Sequence, residues 1–309
     1  DVPDVIDFPR DIQPILDEHC TRCHNPDRPD GRVDLSGDHT PLFSQSYWTI
    51  MHRGLISDGR NEKYGNRPPR TIGSSASRLL ELIDGSHFEA KLSEHQRKLV
   101  RLWIDSSAVY AGTYAALGSG MHPVKFPVAV IEKRCGDCHG QEPPAKSAIG
   151  KGMYFRFGDA GPFLPMVHEF TDLQKIRGSI GYYKFGSARP PQSLTNLTRP
   201  EKSILLRAPL SPQSGGLGLC EPTVFSTTDD PDYQTILAAI LDAAGRHQEF
   251  KRFDMPGFRP NVYYVRMMQR YGILPGDLNP DEPIDVYATD QAYWKSFWHH
   301  ARENSQESP

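Results

Sequence analysis

No stretch of this 309-residue chain approaches the ~18 consecutive apolar residues that a membrane-spanning helix needs. Neither sign of charge dominates either. The 35 basic and 38 acidic residues leave a net charge of -3, and no basic stripe marks a nucleic-acid face. The chain opens at Asp1 without a charged-then-apolar leader, so we expect a removed signal peptide or a piece of a longer protein. Glycine and proline, 26 and 27 residues, make a loop-rich chain but stay below the ~25–30% typical of disorder. Cysteine is scarce, with five residues.

Four of those five stand in one repeated pattern. Cys20-Thr21-Arg22-Cys23-His24 and Cys135-Gly136-Asp137-Cys138-His139 both read Cys-x-x-Cys-His, the attachment signature of haem c. Two thiols three residues apart on one helical turn can form thioethers with the two vinyl groups of one haem. The histidine that follows then comes to lie under the iron as its proximal ligand. A zinc site would use a Cys-x-x-Cys pair per half but has no need of a histidine directly after each pair. We therefore expect two haem c groups, on Cys20, Cys23 and His24 and on Cys135, Cys138 and His139. Haem c is attached outside the bacterial cytoplasm, so the expected compartment is the periplasm or an equivalent lumen. Loose thiols oxidise there, and Cys220 must be accounted for.

The apolar pattern is mostly helical. Ile12, Ile15 and Leu16 share a face and lead into the first motif, with Pro26 and Pro29 closing the segment. Residues 31–75 are turn-rich and read as a long loop over the haem. Ser93 with Gln96 forms a capping box for a helix through Ala108, whose face carries Leu99, Leu102, Trp103 and Ser106. Residues 111–127 read as a linker. Val128–Arg134 leads helically into the second motif, and 140–229 is polar and rich in Gly and Pro. A helix over Asp232–Gly245 has the stripe Ile236, Leu237, Ile240 and Leu241, with Gly245 as its C-cap. Two aromatic helices follow, Asn261–Tyr271 and Asp285–His300, suited to core and docking.

The sixth iron position decides the chemistry: His or Met suits electron transfer, whereas an open position suits small-molecule reactions. For the first haem the candidates are His39, His52, His87, His95, Met51 and Tyr64. The run Ser77–His87, then Lys91–Glu94, then Leu102–Asp105 resembles the end of a class I cytochrome c domain. In that family a Met just before the terminal helix is the distal ligand. His87 stands at the matching position, which implies His24/His87 ligation. Before the Asp232–Gly245 helix, the matching stretch Ser214–Cys220 holds neither His nor Met but ends on Cys220. A thiolate is a strong iron ligand, and the glycines there would let the backbone approach the porphyrin. Cys220 is the first candidate for the second haem, with His168 and His247 as alternatives. His19, His95, His299 and His300 read as surface residues. Arg67, Arg70 and Arg78 are candidate partners for the haem propionates.

Longer runs carry a second resemblance. Val33–Asp38, Asp58–Asn61, Gly65–Arg70, Gly112–Gly118 and Arg252–Phe258 resemble dihaem proteins of planctomycete bacteria. Nearly the whole chain is similar to the dihaem portion of the hydrazine synthase alpha subunit. That resemblance implies a mainly α fold with two class I cytochrome c-like domains and long Gly/Pro-rich loops. The domains would span 1–115 and 116–309, the second with a C-terminal helical extension. It also implies redox partner proteins and a larger multi-domain or multi-subunit complex. In that family a Tyr just after the first motif holds the iron and the motif His turns to a zinc. Here Asn25-Pro26-Asp27-Arg28-Pro29 follows His24, with no such Tyr, so hydrazine synthesis is not carried over. The expected function is periplasmic electron transfer. The alternatives are a haem enzyme on a small nitrogen or sulfur compound (hydrazine synthase-like, or thiosulfate dehydrogenase-like with a His/Cys haem) and a dihaem peroxidase.

Overall fold

A computed structural model describes residues 2–57, 68–117, 123–139, 191–279 and 282–298, with the side chains of 137–139, 191 and 192 left aside. Tyr64, Arg67, His168, His299 and His300 lie outside the described residues. The fold is mainly α, 47% helix against 4% strand. It divides into two compact units. The larger comprises 6–110 and 121–250, and holds both cysteine motifs. The smaller comprises 1–5, 111–120 and 251–309. No described helix is long and apolar enough to cross a membrane.

The larger unit starts with a wide turn, Phe8–Ile12, capped by the Asp7 carboxylate, which accepts from the Arg10 N–H at 3.0 Å. Helix α1, Gln13–His19, continues it. Phe8, Ile12 and Leu16 are buried, as their i, i+4, i+8 spacing requires. Helix α2 spans Gln45–His52, α3 Arg78–Leu82 and α4 Glu94–Asp105. The capping box expected at α4 is formed in both directions: Ser93 Oγ accepts from the Gln96 N–H at 3.2 Å, and Gln96 Oε1 accepts from the Ser93 N–H at 3.0 Å. The buried face of α4 is Leu99, Val100, Trp103 and Ile104, whereas Leu102 is exposed. Leu102 sits about 100° from Trp103 around the helix, which takes it off that face. Trp103 packs at 5.2 Å on Phe8, and Phe8 at 5.1 Å on Tyr47. The first core is thus an aromatic cluster that joins α4 to the segment entering the first motif.

Helix α2 replaces part of the loop expected over 31–75. Every residue from Gln45 to Met51 is buried, so its sequence carries no one-sided stripe for periodicity to reveal. The linker expected at 111–127 is likewise packed at both ends. Ala115 is fully buried in the smaller unit, and Val124 and Phe126 are buried in the larger.

In the second half of the larger unit, α5 spans Val128–His139, α6 Ile204–Arg207 and α7 Pro231–Phe250. Ile131 of α5 meets Ile236, Ile240 and Ala243 of α7 in a core completed by Leu194, Leu197, Leu206, Leu210 and Phe225. Helix α7 does not stop at Gly245. The stripe Tyr233, Ile236, Ile240, Ala243, Ala244 and His247 is buried, while Leu241 is exposed. Burial of the last turn outweighs the ~1 kcal/mol that an interior glycine costs. A Cβ at Gly245 would meet nothing, so Gly245→Ala should raise stability by about 0.5–1 kcal/mol. Thermal melting of both proteins checks this.

The glycines of 214–220 serve the loop's own packing. The space a Cβ would need at Gly216 is taken by the Leu210 carbonyl, and at Gly218 (φ +56°) by the Pro212 ring.

In the smaller unit, α8 spans Val262–Arg270 and α9 Val286–Lys295, capped by Asn261 and Asp285. Buried Asp290 organises it. Its carboxylate accepts from Tyr264 Oη at 2.6 Å, Thr113 Oγ1 at 2.6 Å and the Tyr114 N–H at 2.9 Å. Tyr263, Trp294, Phe297 and Trp298 are exposed.

Candidate haem sites

The first motif begins where α1 ends. Cys20 is the C-cap, its N–H donating to the Leu16 carbonyl at 2.8 Å. One more turn carries the motif, with the Cys23 and His24 N–H groups both donating to the Cys20 carbonyl, at 3.1 and 3.0 Å. Cys20 and Cys23 are half-buried and are not joined to each other. Burial, helped by the Asp17 carboxylate, pushes the Cys20 thiol up to about 11.

The turn after the motif is built on Asn25. Its side-chain oxygen accepts from the Asp27 and Arg28 N–H groups at 2.9 and 2.8 Å. Its amide donates to the Thr21 carbonyl at 2.7 Å. This turn brings Asp30 back under the motif, where the Asp30 N–H donates to the Cys23 carbonyl at 3.1 Å. The Asp30 carbonyl lies 3.0 Å from His24 Nδ1. A carbonyl only accepts, so Nδ1 carries the proton and Nε2 keeps its lone pair. That is the tautomer a metal-binding imidazole needs, held by the kind of outer partner that orients such ligands.

His87 faces His24. Their ring centres are 5.9 Å apart and their planes differ by 13°. With metal–nitrogen bonds of about 2.0 Å and a ring nitrogen roughly 1.1 Å from its ring centre, two imidazoles across one iron have centres about 6 Å apart. The separation of the two rings matches that spacing. His87 rides on a short loop before α4, closed by an Asp84–Lys91 bridge and by the Asp84 carboxylate, which accepts from the Ser86 N–H at 2.9 Å. That hydrogen bond holds Asp84 below the usual carboxylate range. Gly85, Phe88 and Glu89 take positive φ (105°, 47° and 64°).

The other first-haem candidates are elsewhere. Met51 is buried in the first core, His52 ends α2, and His95 is exposed on α4. His39 meets His247 instead, with ring centres 5.2 Å apart and planes at 72°. His19 Nε2 lies 3.2 Å from Gln96 Oε1. Arg70 and Arg78 are exposed.

The second motif closes α5, which packs against α7. Cys135 is half-buried against the second core. The side chains of Cys138 and His139 lie outside the described residues. Cys220 is half-buried on the loop between α6 and α7. His247 is 1% exposed on α7. Among the described residues, no three His, Cys, Asp or Glu side chains gather as a metal site.

What sequence reasoning missed are groups acting through the backbone or across long separations: the Asp30 carbonyl, and the residues of 199–207 that grip the turn bearing it. Near that turn, burial pushes the Asp34 carboxyl up to about 6, against the Ser36 N–H and hydroxyl that favour its ionised form. A folded pKa raised above the unfolded value stabilises fully below about pH 4, and this is lost as pH rises through about 6. Asp34→Asn should remove a loss on the order of 2–3 kcal/mol between those limits. Denaturant titrations of both proteins at pH 4 and pH 7 measure it.

Comparison with protein-family models, curated proteins and solved structures returns no match.

Proposed function

We propose that this protein is a dihaem c-type cytochrome that passes single electrons between partner proteins in the periplasm or an equivalent lumen. The observation that carries the reading is the His24/His87 pair, at iron-bridging separation beside the first Cys-x-x-Cys-His motif. Haem c bound there would supply one-electron chemistry. The chain's part is to hold the group by Cys20 and Cys23, to present two imidazole nitrogens, and to fix the His24 tautomer through Asp30. His24 and His87 would together hold the iron of such a group, which would suit electron transfer.

The second group would be held by Cys135, Cys138 and His139. Its sixth ligand is Cys220 in our reading, with His168 or His247 as alternatives. We read the chain as two class I cytochrome c-like domains, 1–115 and 116–309. Support comes from the parallel between them: α4 packs on the turn that leads into α1 and its motif, and α7 packs on α5.

The test is direct. Pyridine haemochrome analysis should give two haems c per chain, and mass spectrometry should find them on the peptides bearing Cys20/Cys23 and Cys135/Cys138. Ferric electron paramagnetic resonance should show low-spin iron at the first haem. The ferrous protein should not bind carbon monoxide quickly there. A chain that exports and folds without haem refutes the reading. A low-spin signal with compressed g-values that disappears in Cys220→Ala would identify thiolate at the second iron.

A further inference from the structure

The turn that carries the Asp30 carbonyl is gripped from a distant part of the chain. Arg207 donates through Nη1 to the carbonyl of buried Pro26. Lys202 Nζ lies 2.5 Å from Asp27. Arg199 reaches both Asp27 (3.4 Å) and Asp38 (2.8 Å). These three cations come from one short segment of the second half. Ser203 ties that segment together, donating to the Pro200 carbonyl at 2.6 Å and accepting from the Asn196 N–H at 2.9 Å. Asn196 Nδ2 donates to the same Asp38 carboxylate at 2.5 Å.

Ion pairs this exposed contribute little to stability. Their position is more informative than their strength. The turn from Asn25 to Arg28 has one fixed end at the motif and delivers the Asp30 carbonyl to His24 Nδ1 at the other. Pro26 has no N–H of its own, and its carbonyl is the point Arg207 holds. Moving that turn changes the His24 hydrogen bond and leaves the thioether cysteines in place.

We infer that Arg207, supported by Lys202 and Arg199, is a positioning residue for the proximal ligand of the first haem, so that the second half of the protein sets the first haem's potential. The inference rests on the electron-transfer reading above. A firm Nδ1–H···O bond makes the imidazole more basic and favours ferric iron. Loosening it favours ferrous iron and raises the midpoint.

The experiment is a spectroelectrochemical titration of the holoprotein, with the first haem's signal assigned by its loss of low-spin character in His87→Ala. Arg207→Ala should raise the first haem's midpoint by up to about tenfold in the ferrous/ferric ratio, 59 mV for a one-electron couple. The second haem should not move. Arg207→Lys, which keeps a donor, should recover part of the shift, and Lys133→Ala, on the far ion pair with Asp232, should give none. If Arg207→Ala yields no holoprotein, Arg207→Met, which keeps the length of the side chain and has no donor, carries the same test. Unchanged midpoint and g-values overturn the inference. Equal shifts of both haems overturn it too, since they report general loosening. Absence of haem from the wild-type peptide 20–24 is read separately by mass spectrometry, and that outcome removes the electron-transfer reading itself.

Discussion

Replacing His87 with alanine should convert the proposed first haem from six-coordinate low-spin to high-spin iron and open it to carbon monoxide in the ferrous state. The His87 ring lies 5.9 Å from that of His24, whereas Met51 is buried in the first core, His39 meets His247 and His95 is exposed on α4. Its loop is short and turns through three residues of positive φ, which leaves little freedom to bring in another ligand. The fold should survive, because His87 is half-exposed and its loop adds little to the core. His87→Met should restore six-coordination with a higher potential, since thioether sulfur favours ferrous iron more than imidazole does. Electron paramagnetic resonance and carbon monoxide difference spectra read both changes. Identical spectra from wild type and His87→Ala would show that His87 does not bind the iron.

How the site was legible in the sequence follows from the range of each signal. The cysteine motifs and the Ser93/Gln96 box are patterns within five residues of chain, and each was readable. His87 was readable only by its place before α4, because nothing in the sequence shows that its ring meets that of His24, 63 positions earlier. The tautomer of His24 was not readable at all. It is set by a backbone carbonyl, and every residue has one. Helix α2 escaped because it is buried on all sides and flanked by Gly and Pro. The end of α7 escaped because the Gly245 signal was local, whereas the burial of His247 that overrides it depends on distant packing. The smaller unit was least visible of all. It is assembled from three separated segments, two of which are joined through the carboxylate of Asp290.

Trp103→Ala should be the most destabilising single substitution in the first half, at about 3–5 kcal/mol. The side chain is fully buried, packs on Phe8 and Tyr47, and donates from Nε1 to the Val109 carbonyl at 2.8 Å. The truncation leaves a cavity and an unanswered carbonyl together. Trp103→Phe should separate the two effects, keeping much of the packing and losing the hydrogen bond for about 1–2 kcal/mol. The consequence for the haem follows from what the indole joins. On one side is α4, whose N-terminus follows the His87 loop. On the other is the Phe8–Ile12 turn, which runs into α1 and thence to His24. Loosening this contact lets the two ligands drift apart. In Trp103→Ala, low-spin character should therefore be lost on heating at a temperature on the order of 10 °C below that of wild type. Loss of helical signal should accompany it, because the same contact holds both. Scanning the Soret band and far-ultraviolet circular dichroism on one sample tests the coupling. Retention of the wild-type midpoint would mean that the aromatic cluster does not hold the ligand pair together.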